Sequence, residues 1–405
     1  MNNTIKLAVA SALLAAASSA SAAGGIVAGD WTLDIGGIVN MYYTSTSSSG
    51  TGPTGPLSLG NGANATTTNL TTGLLPNYIT FSGKTRQNDL DVGFLISIQP
   101  GSATKTSLSA GTTGENRQQY LTVGDASWGS VKFGKDLGIY AGDAILGDMT
   151  LLGVGSGAGS LNGTTTLGGI GAGYIYADWK NQISYTSPNF NGFSFTAGVT
   201  QAWNEQNVLA LLPASGSSTS LKSPAFEGKV AYAFAGDVAG KVWASGISQQ
   251  IDGVETALSA AAADTKKTVT AFDIGANVNM AGFGLTGYYG EGKGIGQTLQ
   301  FNGGLDEDGN KRDSEQYYVQ ATYTLPGVGT KLGVSYGEQK LDGNATDSFT
   351  SIKDSMTVVG AYHPLTKHLN LVAEYAESQS KHQNNVAADT SGKAKTVSLG
   401  AILFF

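Results

Sequence analysis

Side chains able to do covalent or metal chemistry are scarce in this 405-residue chain, which has three histidines, no cysteine and three arginines, Arg86, Arg117 and Arg312. His363 and His368 flank the turn-forming Pro364-Leu-Thr-Lys367, where histidines are more often solvated than catalytic. His382 with Asp389 is the one pair that could act as a base and its orienting carboxylate, and no serine motif accompanies it. Leu305-Asp-Glu-Asp-Gly-Asn-Lys-Arg312 offers oxygens at Asp306, Asp308 and Asn310 in the manner of a calcium loop. Lys311 stands where such a loop needs its glycine, so the motif fails. Gly168-Gly-Ile-Gly-Ala-Gly173 and Gly290-Glu-Gly-Lys-Gly-Ile-Gly296 neither follow the buried strand of a βαβ unit nor open a helix. They read as flexible loop rather than as phosphate cradles. No catalytic residue, metal or cofactor is expected, and the chemistry that remains is that of fixed charge.

Few charges are present to do it. Charged residues make up 13% of the chain, against about 25% in soluble domains, so much of the surface faces something other than water. A lone Lys6, an apolar run over residues 7–17 and Ala20-Ser-Ala22 have the three regions of a secretory signal peptide, assigned to residues 1–22. Residues 23–405 then form one domain. The net charge of −7, or −8 once Lys6 leaves with the signal, argues against nucleic acid as a partner. No later stretch supplies the roughly 20 uninterrupted apolar residues of a membrane helix.

What the chain does supply is alternation. Period-2 segments occupy residues 31–43, 78–85, 90–99, 117–125, 130–135, 178–187, 193–202, 226–235, 238–248, 269–280, 283–290, 317–325, 330–339, 355–363, 368–376 and 396–405. Leu90, Val92, Phe94, Ile96 and Ile98 make one wholly apolar face, opposite Asp89, Asp91, Ser97 and Gln99. Connections alternate strictly between tight turns, such as Arg86-Gln-Asn-Asp89 and Gly236-Asp237, and long stretches, such as residues 44–77 and 136–177. Short turns on one rim and long loops on the other are the signature of a transmembrane β-barrel, here an antiparallel one of about 16 strands with an apolar exterior and a polar interior. Aromatic residues near strand ends, among them Trp31, Tyr43, Phe190, Tyr289 and Tyr375, suit interfacial girdles. The chain closes on an alternating strand that ends in Phe405.

With that order of segments the sequence resembles the Gram-negative general diffusion porins, sixteen-stranded trimeric channels. The resemblance is carried by Phe81-Ser-Gly-Lys-Thr85, Arg117-Gln-Gln-Tyr-Leu121, Trp128-Gly-Ser-Val-Lys-Phe-Gly-Lys135, Ile183-Ser-Tyr-Thr-Ser-Pro-Asn-Phe-Asn-Gly-Phe193 and the terminal Phe405. It implies that the third long loop, residues 136–177, folds into the lumen as a constriction, with Asp143 and Asp148 as its carboxylates. The family's acidic loop tip is missing, replaced by Leu151-Leu-Gly-Val-Gly-Ser-Gly-Ala-Gly159. On the wall, Arg117 matches one expected arginine, Tyr78 stands at a second such position, and a third falls near Asp178, with Lys180 on the same face. Lys84 and Lys132 also point inward by alternation. Phe405 matches the family's terminal assembly signal, read by the barrel-assembly machinery.

The resulting expectation is a non-enzymatic porin of the Gram-negative cell outer membrane. It would pass small hydrophilic solutes and ions by passive diffusion, with a weak preference for cations. Its partners would be two further copies of itself in a homotrimer, outer-membrane lipid and lipopolysaccharide. Two alternatives belong beside it. One is a substrate-preferring porin, in which inward Tyr42, Tyr78 and Tyr318 stack on sugars or aromatic acids. The other is a barrel adhesin or receptor acting through its Ser/Thr-rich outer loops.

Overall fold

The computed structural model describes residues 25–56, 64–100, 115–156, 165–204, 218–220, 222–254, 266–306 and 308–405. The expected signal peptide lies outside them. Sixteen strands form the wall: β1 (Trp31–Gly50), β2 (Tyr78–Gln87), β3 (Leu90–Ile98), β4 (Gln119–Asp125), β5 (Gly129–Leu137), β6 (Trp179–Thr186), β7 (Phe193–Thr200) and β8 (Ala225–Phe234), followed by β9 (Val238–Val254), β10 (Lys267–Met280), β11 (Phe283–Lys293), β12 (Asp313–Thr324), β13 (Lys331–Asp342), β14 (Phe349–Pro364), β15 (Leu369–Asn384) and β16 (Thr390–Phe404). Each pairs antiparallel with the next, and β16 pairs with β1 from Gly392↔Gly50 to Phe404↔Ile38, which closes the barrel. Three short strands, Ile26–Ala28, Ala65–Thr71 and Ser218–Ser220, extend hairpins beyond this ring.

Alternation explains the wall. At one level the outer face runs Leu285, Ala321, Val334, Val359, Tyr375 and Val397 across six paired strands, while the adjacent inner level runs Thr286, Gln320, Ser335, Val358, Ala376 and Thr396. Closure leaves no unpaired edge, so every backbone group at membrane depth can find a partner without water. No helix among the described residues is long and apolar enough to cross a membrane.

All sixteen alternating segments correspond to strands, but several strands run further outward than the pattern predicts. The expected long loop over residues 340–354 narrows to 343–348, and that over 377–395 narrows to 385–389, because β13 to β16 continue as paired ladder. There the outward side chains, among them Lys340, Lys353, Lys381 and Lys393, are charged, while the buried inward ones mix polar Gln339, Asp354 and Ser380 with apolar Leu341 and Ile352, so the hydrophobic alternation vanishes although the hydrogen bonds persist. Asp178 and Arg117 lie just outside their strands rather than in them.

The inner face also departs from a uniformly polar lining. Ile38, Met356, Val358, Tyr362, Val372, Ile402 and Phe404 point inward and pack with Met149, Leu152 and Val154 of the long connection after β5. Where protein rather than water covers the wall, apolar side chains are stable there, at about 1.5–3 kcal/mol for each large one fully buried.

Candidate functional site

The connection between β5 and β6 is described over residues 138–156 and 165–178 and contains a short helix, α1 (Gly142–Gly147), then a 3-10 turn (Met149–Leu152). Inner-face side chains of successive strands bind its backbone in order around the ring. Glu227 of β8 accepts from the N–H of Ile139 (2.8 Å) and Tyr140 (2.9 Å). Asp273 of β10 accepts from the N–H of Ala141 at 3.1 Å. On β12, Tyr318 donates to the Ala144 carbonyl (2.9 Å), while Gln320 accepts from Met149 N–H (2.7 Å) and donates to the Gly147 carbonyl (3.1 Å). Glu374 of β15 accepts from the N–H of Val154 (2.8 Å) and Gly155 (2.9 Å), and Tyr42 of β1 donates to the Leu152 carbonyl at 2.6 Å. A segment without regular ladder partners needs its polar backbone satisfied elsewhere, and the wall supplies that.

Glycines make the approach close. A Cβ at Gly337 of β13 would collide with the Ala172 carbonyl, and one at Gly153 with the Glu374 carboxylate. Gly168–Gly173, read from sequence as flexible loop, is instead packed: Gly155 and Gly168 meet backbone to backbone, and Ile170 is buried. Gly290-to-Gly296 likewise begins within β11 and ends in a turn packed against Asn302.

Among the charges, Asp143 on α1 forms ion pairs with Lys229 of β8 (3.0 Å) and Lys241 of β9. Burial works against its ionised form, but the two ammonium groups outweigh it and hold the carboxyl below its ordinary pKa. Neither lysine was singled out from sequence, although Lys229 shares the inward parity of Glu227 and Lys241 that of Ser245.

Asp148 does something else. Its carboxylate accepts from Thr150 N–H (2.8 Å), Gly169 N–H (2.9 Å) and the Tyr174 hydroxyl (2.7 Å), so it ties the two arms of the connection together.

The expected wall charges are equally engaged. Arg117 is buried, donates to Glu115 at 2.8 Å and lies 5.9 Å from the Trp179 ring. Lys132 pairs with Asp136 and sits 4.7 Å from the Tyr120 ring. Lys180 is a correction: it is enclosed, with Glu227 at 2.6 Å, Gln300 at 2.6 Å and the Trp203 ring at 4.8 Å, so it is not a free wall charge. Residues 295–306 cover it, a distant contact that β-strand parity cannot reveal. Asp178 has a positive φ of 56° and accepts from Trp179 N–H at 2.6 Å, a turn that starts β6. Lys84 stands exposed on the inner face of β2 towards the short turn, away from the anchors of the connection.

The tyrosines proposed to stack on solutes are not open to them. Tyr42 and Tyr318 are buried and spend their hydroxyls on the connection. Tyr78 borders a cavity of only about 40 Å³ with Arg117, Leu74, Tyr176 and Trp179, room for a water or two.

The other chemical candidates dissolve into turn structure. The Asp306 carboxylate accepts from the N–H groups of Asp308 (3.0 Å) and Asn310 (2.7 Å) and from the Asn344 amide (2.8 Å). Those bonds outweigh the upward push of burial and leave its pKa lowered. Arg312 is enclosed by Asp347 at 2.8 Å and by the carbonyls of Gly303 and Leu305. Asp389 accepts from Asn384 N–H at 2.9 Å, and no bond between it and His382 occurs among the described residues. At the terminus Phe405 exchanges two backbone hydrogen bonds with Gly37, at 2.9 and 3.1 Å.

A family model described as Gram-negative porin matches residues 8–383. The chain belongs to that family. Porins are channels of the outer membrane for diffusion, not as a rule enzymes, and that is the class and location of this chain. Solved porins share its fold. The outer membrane channel DcaP of Acinetobacter baumannii is 15% identical, with 94% of this chain and 100% of that one covered and a TM-score of 0.68. An anion-selective porin from Comamonas acidovorans is 18% identical, over 93% and 100%, with a TM-score of 0.60. OmpT of Vibrio cholerae in its trimer form is 15% identical, over 93% and 99%, with a TM-score of 0.56. No curated protein sequence matches this porin significantly.

Proposed function

We propose that this porin works as a homotrimeric, water-filled channel for small hydrophilic solutes and ions, with the connection after β5 as its constriction and a weak preference for cations. The observation that carries the reading is the fastening of that connection to inner-face side chains of β1, β8, β10, β12 and β15. A segment so held narrows a bore that about sixteen strands would otherwise leave wide. Charges near it are paired, Asp143 with two lysines, Arg117 with Glu115 and Lys132 with Asp136. Pairing keeps the transverse field small, and the chain's excess of carboxylates, net −7, enriches cations at the mouths over a Debye length of about 8 Å.

One observation favours the opposite sign. Lys229 and Lys241 retain more exposure than the Asp143 between them, an arrangement that favours anions at the narrowing, and the Comamonas porin of the same fold is anion-selective. Reversal potentials in asymmetric salt decide between the two. A cation preference that shrinks with rising salt supports the first reading, and a clear anion preference overturns it.

A further inference from the structure

The connection after β5 is fastened to β1, β8, β10, β12 and β15. On that side it leaves little space: the gap bordered by Tyr318, Ser335 and Met356 measures about 10 Å³. Across the lumen, towards β2 to β4, the fit is looser. There the inner-face amides bond within the wall, Gln99 to the Ser97 hydroxyl at 2.7 Å and Gln118 to Asp136 at 3.0 Å, and the gap widens to about 40 Å³. One bank of this slot is the edge of the connection, with Ile145, Leu146 and Leu151, and the opposite bank carries Tyr78 and Gln118. Ile145 and Leu151 are buried, whereas Leu146 and Gln118 keep partial exposure. The short helix α1 therefore turns Asp143 to the lysines of β8 and β9 and Leu146 to the slot.

We propose that this slot is the neck of the channel and that Leu146 sets its preference, so that small water-soluble solutes with an apolar side chain pass faster than equally small polar ones. The inference rests on the reading of the connection as the constriction and adds what its narrowest point selects. The polar lining expected of a water-filled barrel is interrupted here by a bank of leucine and isoleucine. An ion or amide entering a neck one or two waters wide sheds hydration that this bank cannot replace, and a hydrophobic constriction tends to dewet. An apolar side chain gains at the same step, because its surface leaves water for the surface of Leu146. The Gln118 amide on the far bank meanwhile offers a polar partner to the rest of the solute. Leu146 is the deciding residue because it stands on the free edge of α1, held from one side only, and can swing aside to admit a side chain.

The test places the full folded porin in liposomes and compares the influx of leucine with that of asparagine, zwitterions of almost the same mass that differ in the side chain. Leucine is expected to enter about fourfold faster, the worth of roughly one methylene group taken out of water. Leu146→Asn is expected to abolish that difference and to raise the single-channel ion conductance, while Val386→Asn, on the exposed turn after β15, changes neither. Asparagine entering as fast as leucine through the unaltered protein, or a Leu146→Asn channel that keeps the preference for leucine, would overturn the neck while leaving a conducting channel. Absence of both current and influx in every form would overturn the constriction reading together with it. The influx comparison needs only the unaltered protein, so it stands even if Leu146→Asn folds poorly.

Discussion

Lys180 and Glu227 illustrate how charge is used at the level of single residues. Both side chains are fully enclosed, and Glu227 also accepts from Thr200 at 2.9 Å and from two N–H groups of the connection. Removing one partner strands the other charge away from water, at a cost of about 3–5 kcal/mol. Glu227→Gln should therefore lower the thermal midpoint of the folded barrel measurably, and adding Lys180→Met should recover much of the loss. A midpoint unmoved by Glu227→Gln would show the pair to be solvated. Arg117 and Asp143 predict opposite shifts in selectivity. Arg117→Ala removes the positive charge beside Glu115 and should raise cation preference, whereas Asp143→Asn removes the carboxylate between Lys229 and Lys241 and should move the channel towards anions. Reversal potentials that stay put in both variants would remove these residues from the permeation path.

At the scale of elements, the connection after β5 is held by complementary surfaces as much as by hydrogen bonds. Gly337 lies under Ala172 and Gly173, so Gly337→Ala forces a methyl group against their backbone, an overpacking cost of about 1–3 kcal/mol. The expected result is an altered or noisier single-channel conductance with the barrel still folded and heat-modifiable. A variant with conductance identical to the unaltered protein would mean that the connection does not limit flow. The strands themselves were legible in the sequence because a wall between lipid and lumen writes period-2 alternation into every span, as Leu90 to Ile98 does in β3. The fastening of the connection was not. Glu374, Asp273 and Gln320 are ordinary inward polar residues until the fold brings the backbone of residues 139–155 to them. Asp143 was read as a site residue through family resemblance, and Lys229 and Lys241 were missed although parity placed both inward. Lys180 was misread because its cover, Gln300, comes 120 residues later.

For the whole molecule, closure depends on the last strand. Phe404 and Phe405 complete the seam against Ile38 and Gly37, and Phe405 ends the outward apolar face of β16. Deletion of Phe405 should reduce the amount of folded, heat-modifiable protein in the membrane, and an unchanged folded yield would contradict its role as an assembly signal. Conduction through the closed barrel is the central consequence of this architecture. Folded protein added to a planar bilayer should give stepwise current increments, grouped in threes, with a weak cation preference that declines as salt rises. Correctly folded, heat-modifiable protein that passes no current at any voltage would contradict it.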